Sequence, residues 1–135
     1  MRAHVEAVRA LVASATSKTA YTVSVPASPS YPYLIVAPAI GTADEATLEG
    51  ADGLDLTVTV RAVAATPDAA MILADEARAA LGQAYPVPVT VSGWRAWVSW
   101  VRHEADYLDR DETLPATGTH PALSVDSYRL QATPA

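Results

Sequence analysis

The chain has 135 residues, half of them apolar, and a net charge of −6. This length predicts a single domain, residues 1–135, large enough to bury a core. The lack of cysteine excludes disulfides and thiolate metal sites, and the few, scattered cations argue against tight binding of nucleic acid. No apolar run reaches the roughly 20 residues that span a bilayer, so we expect a soluble protein with no membrane partner.

The first third of the chain predicts a helix followed by two strands. Residues 2–14 carry an apolar stripe with helical spacing, formed by Val5, Val8, Leu11, Val12 and Ala15. The β-branched run 21–25 predicts a short strand, and "YLIVAPAI" predicts a buried strand with Pro32 and Pro38 at its ends. Residues 41–53 hold three glycines and four acids. They predict a long, mobile loop that leads to the next strand.

Residues 54–81 join a strand directly to a helix. "LDLTVTVRAV" alternates apolar and polar residues, which predicts a strand with one buried face. Thr66 and Pro67 suit the start of the following helix, and Gly82 suits its end. The apolar stripe of this helix comprises Ala70, Leu73, Ala74, Ala77 and Leu81. The junction lacks the glycines of a phosphate-binding loop or a nucleophile elbow, so we interpret it as structural.

The C-terminal half predicts further strands, at "PVPVTVSG", in the segment after it and in "ALSVDSYRLQA". In "GWRAWVSWV" a strand would place Trp94 and Trp100 on one side and Trp97 on the other. The aromatic and β-branched content favours this over a helix. Two helices cover only one face of a sheet, so the tryptophan on the other face either contacts a partner subunit or belongs to a core that is packed on both sides. The same two alternatives hold for Tyr31 and Tyr33. The predicted fold is α+β, with an antiparallel or mixed sheet of about five strands and two helices on one face.

The densest group of possible ligands lies in "RHEADYLDRDE", at the start of a second predicted loop, 104–121. Its acids and His103 fit neither a zinc-protease motif nor a calcium loop, so we interpret the segment as solvated and balanced by Arg102 and Arg110. The other histidines, His4 and His120, give no local sign of a catalytic triad. We therefore predict no catalytic residue, no metal and no cofactor, and keep a small enzyme or ligand-binding domain as an alternative.

The order of these elements resembles the tail terminator proteins of long-tailed, siphovirus-type bacteriophages and related small neck proteins. The resemblance rests on the helix "AHVEAVRALVAS", the strand "YPYLIVAP", the acidic loop, the strand–helix unit "LDLTVTVRAVAATPDAAMILADEARAAL" and the closing pair "WVSWVRHEAD" and "HPALSVDSYRLQA". The resemblance covers nearly the whole chain and concerns the order of helices, strands and loops.

This resemblance implies a virion protein that assembles in the host cytoplasm as a homo-oligomeric ring, typically a hexamer, at the head-proximal end of the tail. Such rings cap the major tail tube protein, end tail polymerisation and bind the head–tail connector or stopper, while DNA passes through the lumen without specific binding. No catalytic residue is carried over. A head-side stopper or adaptor remains the alternative. The candidate subunit or tube interface comprises Tyr31, Tyr33, Asp44, Glu45, Glu49, Asp52, Trp94, Trp97 and Trp100.

Overall fold

The computed structural model describes residues 2–22, 25–27, 29–38, 47–48, 53–107 and 121–135. In chain order, its elements are α1 (Arg2–Thr16), β1 (Thr19–Thr22), β2 (Tyr33–Pro38), β3 (Thr47–Leu48), β4 (Leu54–Ala64), α2 (Pro67–Ala80), β5 (Val87–Val91), β6 (Trp94–Tyr107) and β7 (Ala122–Pro134). Apart from β3 and Gly53, the predicted loop 41–53 lies outside the described residues. So do residues 108–120 of the second predicted loop.

The strands form one mixed sheet, which confirms the predicted α+β class. Its order is β1-β2-β4-β7-β6-β5, and β3 pairs with the start of β4. The β1–β2 pair is parallel and the other pairs are antiparallel. Six strands therefore stand side by side, where the sequence predicted about five.

The second loop begins later than predicted, because β6 pairs with β7 as far as Tyr107. Residues 104–107 are therefore strand, and their assignment to a loop was wrong. The polar run "RHEAD" lacks the apolar alternation from which strands are recognised. Here β7 supplies the hydrogen-bond partners, and two register irregularities, after Trp100 and after His103, shift the side chains.

Both helices pack on one face of the sheet, called here the core face. The even-numbered residues of β4 from 54 to 62 point to it, as predicted, and are buried. Strand register then places Tyr128 opposite Val58, and Leu130 opposite both Leu56 and Val98. Since side chains alternate along a strand, this register brings apolar residues of several strands into one layer. Of the predicted α2 stripe, Leu73, Ala74, Ala77 and Leu81 are buried against the same core, whereas Ala70 is buried in a smaller cluster with Ala64 and Ala122. Each fully buried Leu or Val contributes about 1.5–3 kcal/mol.

The sheet curls around the two helices. Helix α2 lies against β4 and β7, the two middle strands, and also contacts α1. Helix α1 contacts β1, β2 and β5, which stand at opposite ends of the strand order. In a flat sheet, the strands at the two ends would lie too far apart for α1, which packs beside α2, to contact both. The opposite face, called here the outer face, is left without a helix among the described residues.

Helix α2 begins and ends where the sequence predicted. The Thr66 Oγ1 accepts a hydrogen bond from the Ala69 N–H at 3.2 Å, and Pro67 occupies the first turn. Gly82 has φ +89°, and a Cβ there would lie 2.7 Å from the Val98 carbonyl oxygen. Both the backbone conformation and the close approach therefore require glycine at this position.

Helix α1 is buried on a slightly different stripe from the predicted one. Val5, Val8 and Val12 are buried as expected, but Ala15 is exposed and His4 is buried in the first turn. Neither helix is long and apolar enough to span a bilayer in the part of the chain that the structure describes.

Candidate functional site: aromatic patches and a charged cleft

The three tryptophans of β6 alternate between the two faces, which confirms the strand interpretation. Trp94 and Trp100 are half-buried and pack against the core. Trp97 lies on the outer face, opposite Pro88 and Gln131, and 41% of it is exposed. Only Trp97 of the three therefore presents a large aromatic surface on the outer face.

Tyr31 and Tyr33, the other aromatic candidates, come together with Tyr21 at the β1–β2 end of the sheet. The Tyr31 ring stacks on that of Tyr33 with centroids 5.6 Å apart, and Tyr33 meets Tyr21 edge to face at 5.7 Å. Tyr33 is buried, which raises its pKa, whereas Tyr31 is 45% exposed. We call these three residues the tyrosine patch. Sequence reasoning missed Tyr21, which joins the patch because β1 lies parallel beside β2.

The tyrosine patch and Trp97 lie on the same face but far apart. Tyr33 is paired with Val63 at the end of β4, whereas Trp97 is aligned through Gln131 with Asp55 at its start. At ~3.3 Å per residue, these two positions of β4 are separated by roughly 26 Å along the strand, in addition to the width of the intervening strands. The structure therefore does not bring the aromatic candidates into one site.

The four acidic candidates, Asp44, Glu45, Glu49 and Asp52, lie outside the described residues.

A charged cluster on the core face is the strongest polar feature of the described structure. The Asp126 carboxylate is only 3% exposed, and its Oδ1 accepts hydrogen bonds from Arg78 Nε at 3.0 Å and Trp100 Nε1 at 3.2 Å. The His103 Nδ1 lies 3.3 Å from the same oxygen. A buried carboxylate is stable only when it is paired in this way.

The cluster continues outward to the surface. Arg78 also pairs with Asp75 at 2.7 Å, and the His103 Nε2 lies 3.0 Å from the Asp106 Oδ2. Burial alone would lower the pKa of Arg78, but its hydrogen bond to Asp126 and the nearby carboxylates raise it. Arg78 therefore remains a cation and neutralises the buried carboxylate.

These groups border a cleft of about 410 Å³ between α2 and the second half of β6. The residues that line this charged cleft are Met71, Asp75, Arg78, Gln83, Trp100, His103, Asp106 and Ser124. Among the described residues no group of three or more His, Asp or Glu side chains is arranged to hold a metal ion. The cleft thus offers paired charges beside an apolar wall formed by Met71 and Trp100.

One feature of the sequence points to this cluster. Asp126 stands on the same side of its strand as Tyr128 and Leu130, which are both buried. A carboxylate at such a position has to find a buried cationic or hydrogen-bonding partner. The interpretation of residues from 102 onward as a solvated loop was wrong about the loop, since His103 and Asp106 lie in β6. Both side chains are exposed, as the interpretation expected, and both take part in the cluster.

Comparison with solved structures shows a likeness of fold. No protein-family model matches the chain, and no curated protein matches it. Among solved structures, the chain is similar to a chain described as "Virion of native gene transfer agent (GTA) particle", with 19% sequence identity and a TM-score of 0.61. The match covers 98% of this chain and 92% of the other. At this identity the likeness concerns the fold.

Proposed function

We propose that this chain is a structural virion protein of a phage-like particle, and that it forms a hexameric ring at the head-proximal end of the tail. The observation that carries the proposal is the fold shared, over nearly the full length of both chains, with a component of a gene transfer agent virion. The finer position comes from the layout of elements, which resembles that of tail terminators. In this role the ring caps the tail tube, ends its polymerisation and binds the head–tail connector.

The two aromatic surfaces suit the interface that such a ring needs. A closed ring is built from a heterologous interface, in which one patch meets a different patch on the next subunit. Trp97 and Tyr31 both expose aromatic rings on the outer face, Tyr31 just before β2 near one end of the strand order and Trp97 on β6, the strand next to the other end. Aromatic residues are enriched at the centres of protein interfaces. We assign Trp97 to one half of the contact and the tyrosine patch to the other.

The acidic residues supply the contacts with the tube and the lumen in this proposal. Asp44, Glu45, Glu49 and Asp52 belong to segment 41–53, which we assign to the tail tube protein. The net charge of −6 agrees with a lumen that repels DNA and lets it pass without binding. The proposal assigns no chemical reaction to the chain.

Sedimentation velocity over a concentration series tests the ring. We expect a hexamer that forms with rising concentration or on addition of tail tube protein, and we expect Trp97→Ala to weaken it at least tenfold. The matched control is Ile72→Ala, which removes an exposed apolar side chain (59% exposed) from α2, away from the outer face. A protein that stays monomeric at high concentration, with and without tube protein, would contradict the proposal.

Experiments on the same purified protein distinguish two other roles from that of a tail terminator. Co-sedimentation with the portal assembly instead of the tail tube would identify a head-side stopper or adaptor. The charged cleft, with His103 between two carboxylates, favours a third candidate, a small ligand-binding domain. Native mass spectrometry would detect it as a monomer carrying a small molecule, and Asp106→Asn would reduce that occupancy.

A further inference from the structure

His4 occupies an unusual position for a titratable side chain. It lies in the first turn of α1 and only 2% of it is exposed. Both ring nitrogens are buried, and neither has a hydrogen-bond partner among the described residues. The imidazole instead meets the Trp94 indole edge to face, with ring centroids 4.8 Å apart. A buried polar group without a partner is rare enough to require an explanation.

The burial of His4 is compatible with a neutral imidazole and opposes a charged one. A neutral ring loses its hydrogen bonds to water on burial, but it keeps its packing against Trp94. An imidazolium would add an unpaired buried charge, at the positive end of the helix dipole. Burial first, and the positive chain terminus second, lower the pKa of His4.

No anion in the described surroundings offsets this charge. The strands β1, β2 and β5, which α1 contacts, contain no Asp, Glu, Lys, Arg or His. On α1, Arg2 is exposed and Glu6 pairs with Arg9 at 2.7 Å. The charged residues of the remaining neighbours are, on α2, Asp68, Asp75, Glu76 and Arg78, and, on β6, Arg95, Arg102, His103, Glu104 and Asp106. Arg95 stands on the outer face with Trp97, and Arg78, Asp75, His103 and Asp106 belong to the charged cleft.

We infer that His4 is a proton-sensitive latch: the neutral imidazole holds the first turn of α1 against Trp94, and protonation in mildly acidic solution releases this turn and uncovers Trp94. Because α1 contacts both ends of the curled sheet, release of its first turn also loosens the support of β5. This conformational device is independent of the proposed ring, since it rests on contacts within one subunit.

The direction of the pH effect follows from proton linkage. The unfolded first turn binds a proton near the ordinary value of about 6.5, whereas the docked turn binds it only at lower pH. The docked state is therefore fully favoured above about pH 6.5. Below that pH the ratio of docked to released molecules falls by up to about tenfold per pH unit, which is the limit for uptake of a single proton.

Hydrogen exchange and proton NMR on the intact protein test the latch between pH 7.5 and 5. We expect the His4 ring to titrate below 6.5, and amide protection of residues 6–9, whose hydrogen bonds go to the carbonyls of the first turn, to fall as pH falls after correction for intrinsic exchange. His4→Phe keeps an aromatic ring against Trp94 and should abolish the fall, while the control His103→Gln should keep it. His4→Leu serves the same purpose if the larger ring does not fit.

Two results would overturn the inference. One is a wild-type His4 that titrates at its ordinary value while the protection of residues 6–9 stays constant. The other is an equal loss of protection in the His4 variants, which would place the sensitive group elsewhere. The wild-type titration decides the first point even if both variants fail to fold.

Discussion

Replacement of Arg78 by Met tests how the buried Asp126 carboxylate is held. The substitution keeps most of the aliphatic stem and removes the guanidinium that lies 3.0 Å from Asp126. Removing one partner of a buried ion pair costs ~3–5 kcal/mol, because the remaining charge is left without compensation. The Arg78 side chain is 17% exposed, and Trp100 and His103 still contact the carboxylate. We therefore expect a loss near the lower limit, about 3 kcal/mol in the free energy of unfolding.

Urea unfolding followed by circular dichroism measures this loss, and the midpoint of thermal unfolding should fall by roughly 10 °C for a domain of this size. The matched control is Asp75→Asn, which removes the other carboxylate that pairs with Arg78. The Asp75 side chain is 72% exposed, so its pair with Arg78 should contribute less than about 1 kcal/mol. If Arg78→Met costs no more than Asp75→Asn, then Arg78 does not stabilise the buried carboxylate and our account of the cluster is wrong.

Three further predictions concern local features and are measured by the same unfolding experiment. Gly82→Ala should lower the free energy of unfolding more than Gly93→Ala does, because both glycines have positive φ but only at Gly82 does a Cβ collide with backbone. Equal losses, each of order 1 kcal/mol, would show that the structure relaxes to relieve the collision. Thr66→Ala should cost about 1 kcal/mol through loss of the helix cap, and Thr66→Ser, which keeps the hydroxyl, should restore most of it. Asp55→Asn should cost less than about 1 kcal/mol, since its pair with Arg129 is half exposed. The Arg129 hydrogen bond lowers the pKa of Asp55, so this small contribution should be present above about pH 4 and disappear as pH falls further; its persistence in strong acid would contradict the pairing.

The sequence predicted the elements whose signals are local. The alternation in β4 and the start of α2 at Thr66 each depend on neighbours a few residues away, and both are confirmed. The length of β6 was not predicted, because its polar second half is a strand only through pairing with β7. A pairing partner more than 15 residues distant leaves no local periodicity in the strand itself.

The candidate site also contains some residues whose positions the sequence predicts and others whose positions it does not predict. Alternation correctly separated Trp97 from Trp94 and Trp100, and this required no knowledge of the fold beyond the strand. The charged cleft joins α2, β6 and β7, and no spacing in the sequence predicts which residues of three distant segments converge. The burial of His4 could have been predicted from the sequence, since His4 lies on the same helical stripe as Val8 and Val12. It was not predicted, because a polar residue was not expected on that stripe.

The central place of β7 in the sheet has a consequence for how the protein folds. β7 is synthesised after β4 and β6 and is hydrogen-bonded to both of them. Until residues 122–134 have been synthesised, the two longest strands made before them lack a shared neighbour, and α2 lacks part of the surface on which it docks. Folding should therefore be slow and dominated by contacts that are distant in sequence, and newly made chains would expose these two strands to aggregation for longer than a helical bundle of equal size would.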